Sequence, residues 1–164
     1  MNKKIWQDAR LAFLAKFFAI FALAELLLFT LDLSIIQNFI ASSIALQLGL
    51  DFAGNYIFAK GGVFVIVPSC TGLVGTSVLG AIIFSLKKPE VRQKIAIFFA
   101  GAILLIILNY FRVLFVVWLG AEFGMGLAEI AHVVSWFVAS SFVIVLWYFF
   151  TKKAAGIKDF SGFL

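Results

Sequence analysis

Four apolar stretches, parted by short clusters of lysine and arginine, govern what this chain can fold into. They run from about Ala12 to Leu33, Gly72 to Leu86, Ile95 to Leu119 and Ile130 to Phe150, and a bilayer core asks for roughly 20 residues each. The second is the shortest and is expected to begin at Cys70 or to borrow depth from Val67. Apolar residues make up 64% of the 164, against about half in a soluble domain, and the mean hydropathy is +1.13. No soluble domain of useful size is left over. The expected fold is an all-α membrane protein, a bundle of about four transmembrane helices forming one integral domain over residues 1–164 with its core at about 12–150.

The net charge of +5 does not point to nucleic acid, because the basic residues fall between the apolar stretches. Lys3, Lys4 and Arg10 precede the first, Lys87, Lys88, Arg92 and Lys94 part the second from the third, and Lys152, Lys153 and Lys158 follow the fourth. Basic loops stay in the cytoplasm. The connections 34–69 and 120–129 hold Lys60 as their only basic residue beside Asp51, Glu122 and Glu129, so they are expected outside the cell membrane and both termini inside. The first stretch starts like a signal peptide, but Lys16 and Glu25 interrupt it and Ala22-Leu23-Ala24 lies within it, which reads as an uncleaved anchor. Glu25 is expected to face another helix or to pair with a polar partner such as Lys16.

The outer segment carries two periods. Ile36, Phe39, Ile40 and Ile44 recur at helical spacing against Gln37, Asn38, Ser42 and Gln47, in a run too short to span, so an interfacial helix is expected. Tyr56 to Ala59, a Lys60-Gly61-Gly62 turn and Val63 to Val67 read as a β-hairpin. An open strand edge cannot lie in lipid, so the hairpin must sit above the bilayer or against protein.

That hairpin delivers the chain to Cys70, the sole cysteine, within Pro68-Ser69-Cys70-Thr71-Gly72. At the first turn of a helix a cysteine would meet unpaired N–H groups and the positive end of the dipole, which favour a nucleophilic sulfur. Depth can be counted from the basic clusters at about 1.5 Å per residue. Cys70 lies roughly 26 Å above Lys87, Arg112 roughly 27 Å above Lys94, and His132 roughly 30 Å above Lys152. All three reach the outer edge of a core about 30 Å thick. Each alone has a plain reading, as a packed thiol, a snorkelling arginine and a hydrogen-bonded histidine. At matched depth they are expected to form a catalytic cluster.

Each group suits thiol-based acyl transfer. Cys70 would attack a carbonyl and form a thioester, and His132 would take the thiol proton and return one to the leaving amine. Arg112 would hold the sulfur as thiolate, clamp the substrate or stabilise the oxyanion. Backbone N–H groups at Thr71 and Gly72 offer a second oxyanion contact. Asn109, three residues before Arg112, shares its side of the helix and would orient Arg112 or a substrate amide, or else join two helices. Glu129 stands three residues before His132 and would orient the imidazole or serve only as a first-turn acid.

Cys70-Thr71-Gly72 at the outer start of one span, Asn109-Tyr110-Phe111-Arg112 in the next and His132 opening the last together resemble the archaeosortase/exosortase family of membrane cysteine transpeptidases. The resemblance runs from about Ser34 to Phe150. Thr71 stands where Ser or Ala is more usual, and Ser135-Trp136 follows His132 where a Gly before an aromatic is more usual. The resemblance implies Cys70 as nucleophile with Arg112 and His132 completing the site. It implies exported protein substrates bearing a C-terminal tripartite signal, made of a short motif, a transmembrane helix and a basic tail. It further implies cleavage outside the membrane, transfer of the new C-terminus to a membrane lipid or other acceptor, and, from the short length, a minimal member of the family.

Two other classes use the same residues: a membrane thiol acyltransferase acting on lipid thioesters, and a noncatalytic small membrane assembly or transport subunit. The hairpin before Cys70 favours a peptide substrate, because an extended edge pairs with a peptide strand. One histidine and scattered carboxylates make no metal ligand set, and Gly72-Leu73-Val74-Gly75 lacks the Lys-Ser/Thr ending of a phosphate loop. No cofactor is expected.

Overall fold

The computed structural model describes residues 3–155, with side chains over 10–153. Lys158 and the side chains of Lys3 and Lys4, all members of the basic clusters, lie outside the described residues.

Helix α1 (Lys3–Thr30) contains neither Gly nor Pro and is rich in Leu, Ala and Phe, so nothing breaks it before Leu31. A tight turn follows, in which the Ser34 backbone N–H donates to the Asp32 carboxylate at 2.9 Å, and α2 (Ser34–Leu48) begins there. Gly49 ends that helix at φ 65°, its N–H bonded to the Ala45 carbonyl, a left-handed stop that favours glycine.

Three strands come next: β1 (Asp51–Ala53), β2 (Tyr56–Ala59) and β3 (Gly62–Val65), antiparallel and in that order. The expected hairpin is β2–β3, with Ile57 opposite Phe64 and Ala59 opposite Gly62. β1 adds a third strand through Asp51 opposite Phe58. Both turns have two residues, and Gly54 (φ 60°) and Gly61 (φ 94°) supply the positive φ that such tight connections need. A 3-10 turn at Pro68–Thr71 leads into α3 (Leu73–Ser85), then α4 (Val91–Phe123) and α5 (Met125–Ala155).

Among the described residues, three helical segments are long and apolar enough to cross a membrane: Arg10–Thr30, Val91–Phe123 and Met125–Lys153. The second expected span is α3, whose 13 residues rise only about 20 Å. The expected outer connection from Gly120 to Glu129 is helical on both sides of Gly124, at φ 95°. A single glycine joins α4 to α5, and His132 lies two turns inside α5 rather than at its start.

Two apolar clusters hold these elements together. One joins Leu79 and Ile83 of α3 to Ile97 and Leu105 of α4 and Val143 and Trp147 of α5, with Phe13 of α1 against it. Gly101 permits the contact, since a Cβ there would meet Leu79 Cδ2 at 2.6 Å. In lipid such contacts stabilise by close packing rather than by removing surface from water. At the base of this cluster Lys94 is only 7% exposed and donates to the Leu86 carbonyl, so it caps the end of α3.

The second cluster joins α2 to β2, the 3-10 turn and α4 through Ile40, Ile44, Ile57, Ile66, Cys70, Val113 and Val117. Of the expected α2 stripe, Ile40 and Ile44 are buried with Ala41 and Ala45, while Ile36 and Phe39 are exposed. Glu25 does not pair with Lys16. Nine residues at about 100° each put them on opposite sides of α1, Lys16 is exposed, and Glu25 Oε1 is buried with no hydrogen-bond partner among the described residues.

Candidate active site

The 3-10 turn that holds Cys70 is tied down at four points. The Cys70 N–H donates to the Val67 carbonyl at 2.8 Å, and the Thr71 hydroxyl donates to the Pro68 carbonyl at 2.7 Å. The Asn109 amide donates to the Cys70 carbonyl. Upstream, the Asn55 amide donates to the Ile66 carbonyl at 3.0 Å while the Ile66 N–H donates to the Asn55 carbonyl at 2.9 Å. Gly72, at φ 84°, turns the chain from this element into α3. A Cβ on Gly72 would stand 3.1 Å from Asn109 Cβ, so glycine is required both for conformation and for the approach of α4.

Cys70 therefore sits three residues ahead of α3 and not in its first turn. The dipole argument for its reactivity does not apply. The sulfur belongs instead to a rigid, buried turn, 7% exposed and free of any disulfide.

Opposite the turn, one stripe of α4 carries Asn109, Arg112, Val113, Val116, Val117 and Gly120, at the three- and four-residue spacing of a helix face. Its upper end receives the sheet. A Cβ on Gly120 would stand 2.2 Å from Phe64 Cζ and 3.0 Å from Ala128 Cβ, so this glycine is where β3, α4 and α5 meet. Gly62 packs likewise on the Met125 side chain. The other flank of α4 is held to α2 by Tyr110, whose hydroxyl pairs with Ser43 Oγ at 2.7 Å and accepts from the Gln47 amide.

Between these parts lies a cavity of about 70 Å³. Phe64, Val65 and Ile66 form one wall and Val113, Val116 and Val117 another, with Cys70, Arg112 and His132 completing the lining. The structure thus brings the three reactive residues of the sequence analysis onto one cavity. A water needs roughly 10–15 Å³ by such a measure, so the space fits a reacting centre and not a peptide. Any chain that reacts here must lie along the rim.

The side chain of Arg112 lines the same cavity as Cys70. Its Nε is buried with no hydrogen-bond partner among the described residues. A buried N–H without an acceptor carries an uncompensated desolvation cost. His132 is exposed and its ring makes no hydrogen bond among the described residues. Glu129 is also exposed and no hydrogen bond joins it to His132. Asn109 holds the Cys70 carbonyl rather than orienting Arg112.

Asn55, Phe64 and Gly120 were not legible as contributors. Asn55 reads as an ordinary turn residue, and the pairing of Phe64 with Gly120 spans 56 positions of sequence. The one signal available was the small residue at Gly120, in register with Asn109, Val113 and Val116.

The fold and cavity define a membrane protein that gathers a thiol, a guanidinium and an imidazole at the junction of a small sheet and a 3-10 turn with two helices. The chain belongs to the transmembrane exosortase family (Exosortase_EpsH), whose family model matches residues 3–149. Membership suggests a sortase-like transpeptidase role. No curated protein and no solved structure matches the chain.

Proposed function

We propose that this protein is a cysteine transpeptidase that cleaves a C-terminal sorting signal from exported proteins and passes the new C-terminus to an acceptor, a membrane lipid above all. The observation that carries this reading is the convergence of Cys70, Arg112 and His132 on one cavity.

In the first half-reaction His132 takes the Cys70 proton as the sulfur attacks the scissile carbonyl. The oxyanion accepts from Arg112, whose Nε has no other acceptor. The C–N bond then breaks, the amine leaves with the proton from His132, and the acyl group remains as a thioester. In the second half-reaction the acceptor hydroxyl or amine loses its proton to His132, attacks the thioester and expels the Cys70 thiolate, which recovers the proton. Asn109 positions the sulfur through the Cys70 carbonyl and touches no reacting atom, while the backbone N–H groups of Thr71 and Gly72 are further donors for the oxyanion.

In this reading α1, α4 and α5 cross the bilayer, and α3 with the 3-10 turn returns the chain to the inner face. Both termini and the three basic clusters are then cytoplasmic, α2 lies at the outer interface, and the cavity opens to the extracytoplasmic side. A substrate helix beside the bundle, its basic tail inside, brings the bond to be cut near the level of Cys70.

The test co-expresses a precursor ending in a short motif, an apolar span and a basic tail with the wild type and with Cys70→Ala, Arg112→Ala and His132→Ala. The wild type is expected to shorten the precursor and each variant to leave it whole. Equal processing by all four would remove the catalytic reading.

A further inference from the structure

We infer that the open edge of β3 is the docking strand for the substrate, taking the extended residues of an exported precursor that precede its apolar span; this rests on the transpeptidase reading above.

The register decides which backbone groups are free. The Ile66 N–H donates to the Asn55 carbonyl, and residues of an antiparallel pair alternate between facing the partner strand and facing away. Along β3, then, Gly62, Phe64 and Ile66 turn their N–H and C=O toward β2, and Val63 and Val65 turn theirs outward. β3 is the last strand of the sheet, and no hydrogen bond reaches the outward groups of Val63 or Val65 among the described residues. Val63 and Val65 are 46% and 42% exposed.

Two N–H and two C=O groups left open along an exposed strand edge are a ready template for an extended chain. An extended peptide has the matching groups at the matching spacing. A second helix or an acyl chain does not. The place of the edge also selects the occupant. β3 contributes Phe64 and Val65 to the cavity that holds Cys70, Arg112 and His132, whereas β1, the other edge, contributes none of the lining. A strand laid on β3 runs along the rim of a cavity too small for a peptide and presents its carbonyls there one after another.

The experiment places a photoreactive benzoylphenylalanine at Val63 or, as the opposite-edge control, at Phe52, each in the Cys70→Ala protein co-expressed with a precursor ending in a short motif, an apolar span and a basic tail. Adducts with the precursor are expected from Val63 and not from Phe52. In the active protein, Val63→Pro removes an outward N–H without touching the β2 ladder, and Val63→Ala keeps it. Processing by the proline variant is expected about tenfold below that by the alanine variant, with equal melting temperatures. Equal processing by the two variants, or equal adducts from both edges, overturns the docking strand. Adducts at Val63 beside a wild type that leaves the precursor whole would keep the docking and remove the transpeptidase reading. No adduct at Val63 beside a wild type that cleaves removes the docking alone.

Discussion

The Asn109 side chain on α4 donates to the backbone carbonyl of Cys70, across 39 positions of sequence, and the same side chain packs on Gly72. One residue thus sets both the position of the turn bearing the sulfur and the distance of that turn from the helix bearing Arg112. The two halves of the site cannot move independently while this bond holds.

Asn109→Ala removes the bond and leaves a carbonyl to find another donor, a loss of about 1–3 kcal/mol. The melting temperature of the purified protein is expected to fall, and processing with it. Gly72→Ala is expected to do the same for a different reason, because a left-handed φ costs an L-residue about 1–2 kcal/mol and the added methyl meets Asn109. Unchanged melting in both would show that the turn is held by something else.

Gly120→Ala forces a methyl into the Phe64 ring and is expected to destabilise by about 1–3 kcal/mol. Combining it with Phe64→Leu, which shortens the opposing side chain, should return part of the loss. A double-mutant cycle measured by thermal unfolding checks this, and strict additivity would mean that the two do not meet.

Arg112→Lys keeps the charge but replaces a rigid planar fork with a point charge on a flexible stem. If the guanidinium receives the oxyanion, processing falls by about a hundredfold while Cys70 still reacts with a small alkylating reagent. Retention of full processing would reduce the role of Arg112 to its charge.

Asp32 lies in the turn between α1 and α2, and the Ser34 N–H that it accepts holds its carboxyl below the usual carboxylate range. A carboxyl lowered in the folded state lends stability that is present above its unfolded pKa and lost as pH falls through the folded one. The hydrogen-exchange protection factor of the Ser34 amide is therefore expected to drop as the medium is acidified through the carboxylate range. In Asp32→Asn that dependence should vanish.

The reading from sequence grouped Cys70, Arg112 and His132 by depth, counted at a constant helix rise from the basic clusters, and the three line one cavity. It reached β2–β3 through the Lys60-Gly61 turn between apolar runs. β1 escaped it, since three residues are too few to display a period and the strand exists only by pairing with β2. The α4–α5 joint escaped it for a related reason. Gly120, Gly124 and Gly126 together look like a loop, yet only Gly124 leaves the helical region, and Gly120 is small to receive Phe64. The contact between Asn109 and Cys70 depends on how the 3-10 turn stacks on α4, which no local pattern encodes.

If α3 returns the chain across the bilayer as proposed, its 13 residues would climb about two-thirds of the hydrocarbon layer, and the 3-10 turn with its flanks would fill the remainder. An acyl-sulfur intermediate on Cys70 would then sit below the polar surface, where bulk solvent is dilute and amphiphiles are concentrated. Partition between hydrolysis and transfer would be set there by the relative abundance of the two nucleophiles, so in that arrangement a shortened helix would make the bilayer itself the agent that chooses the product.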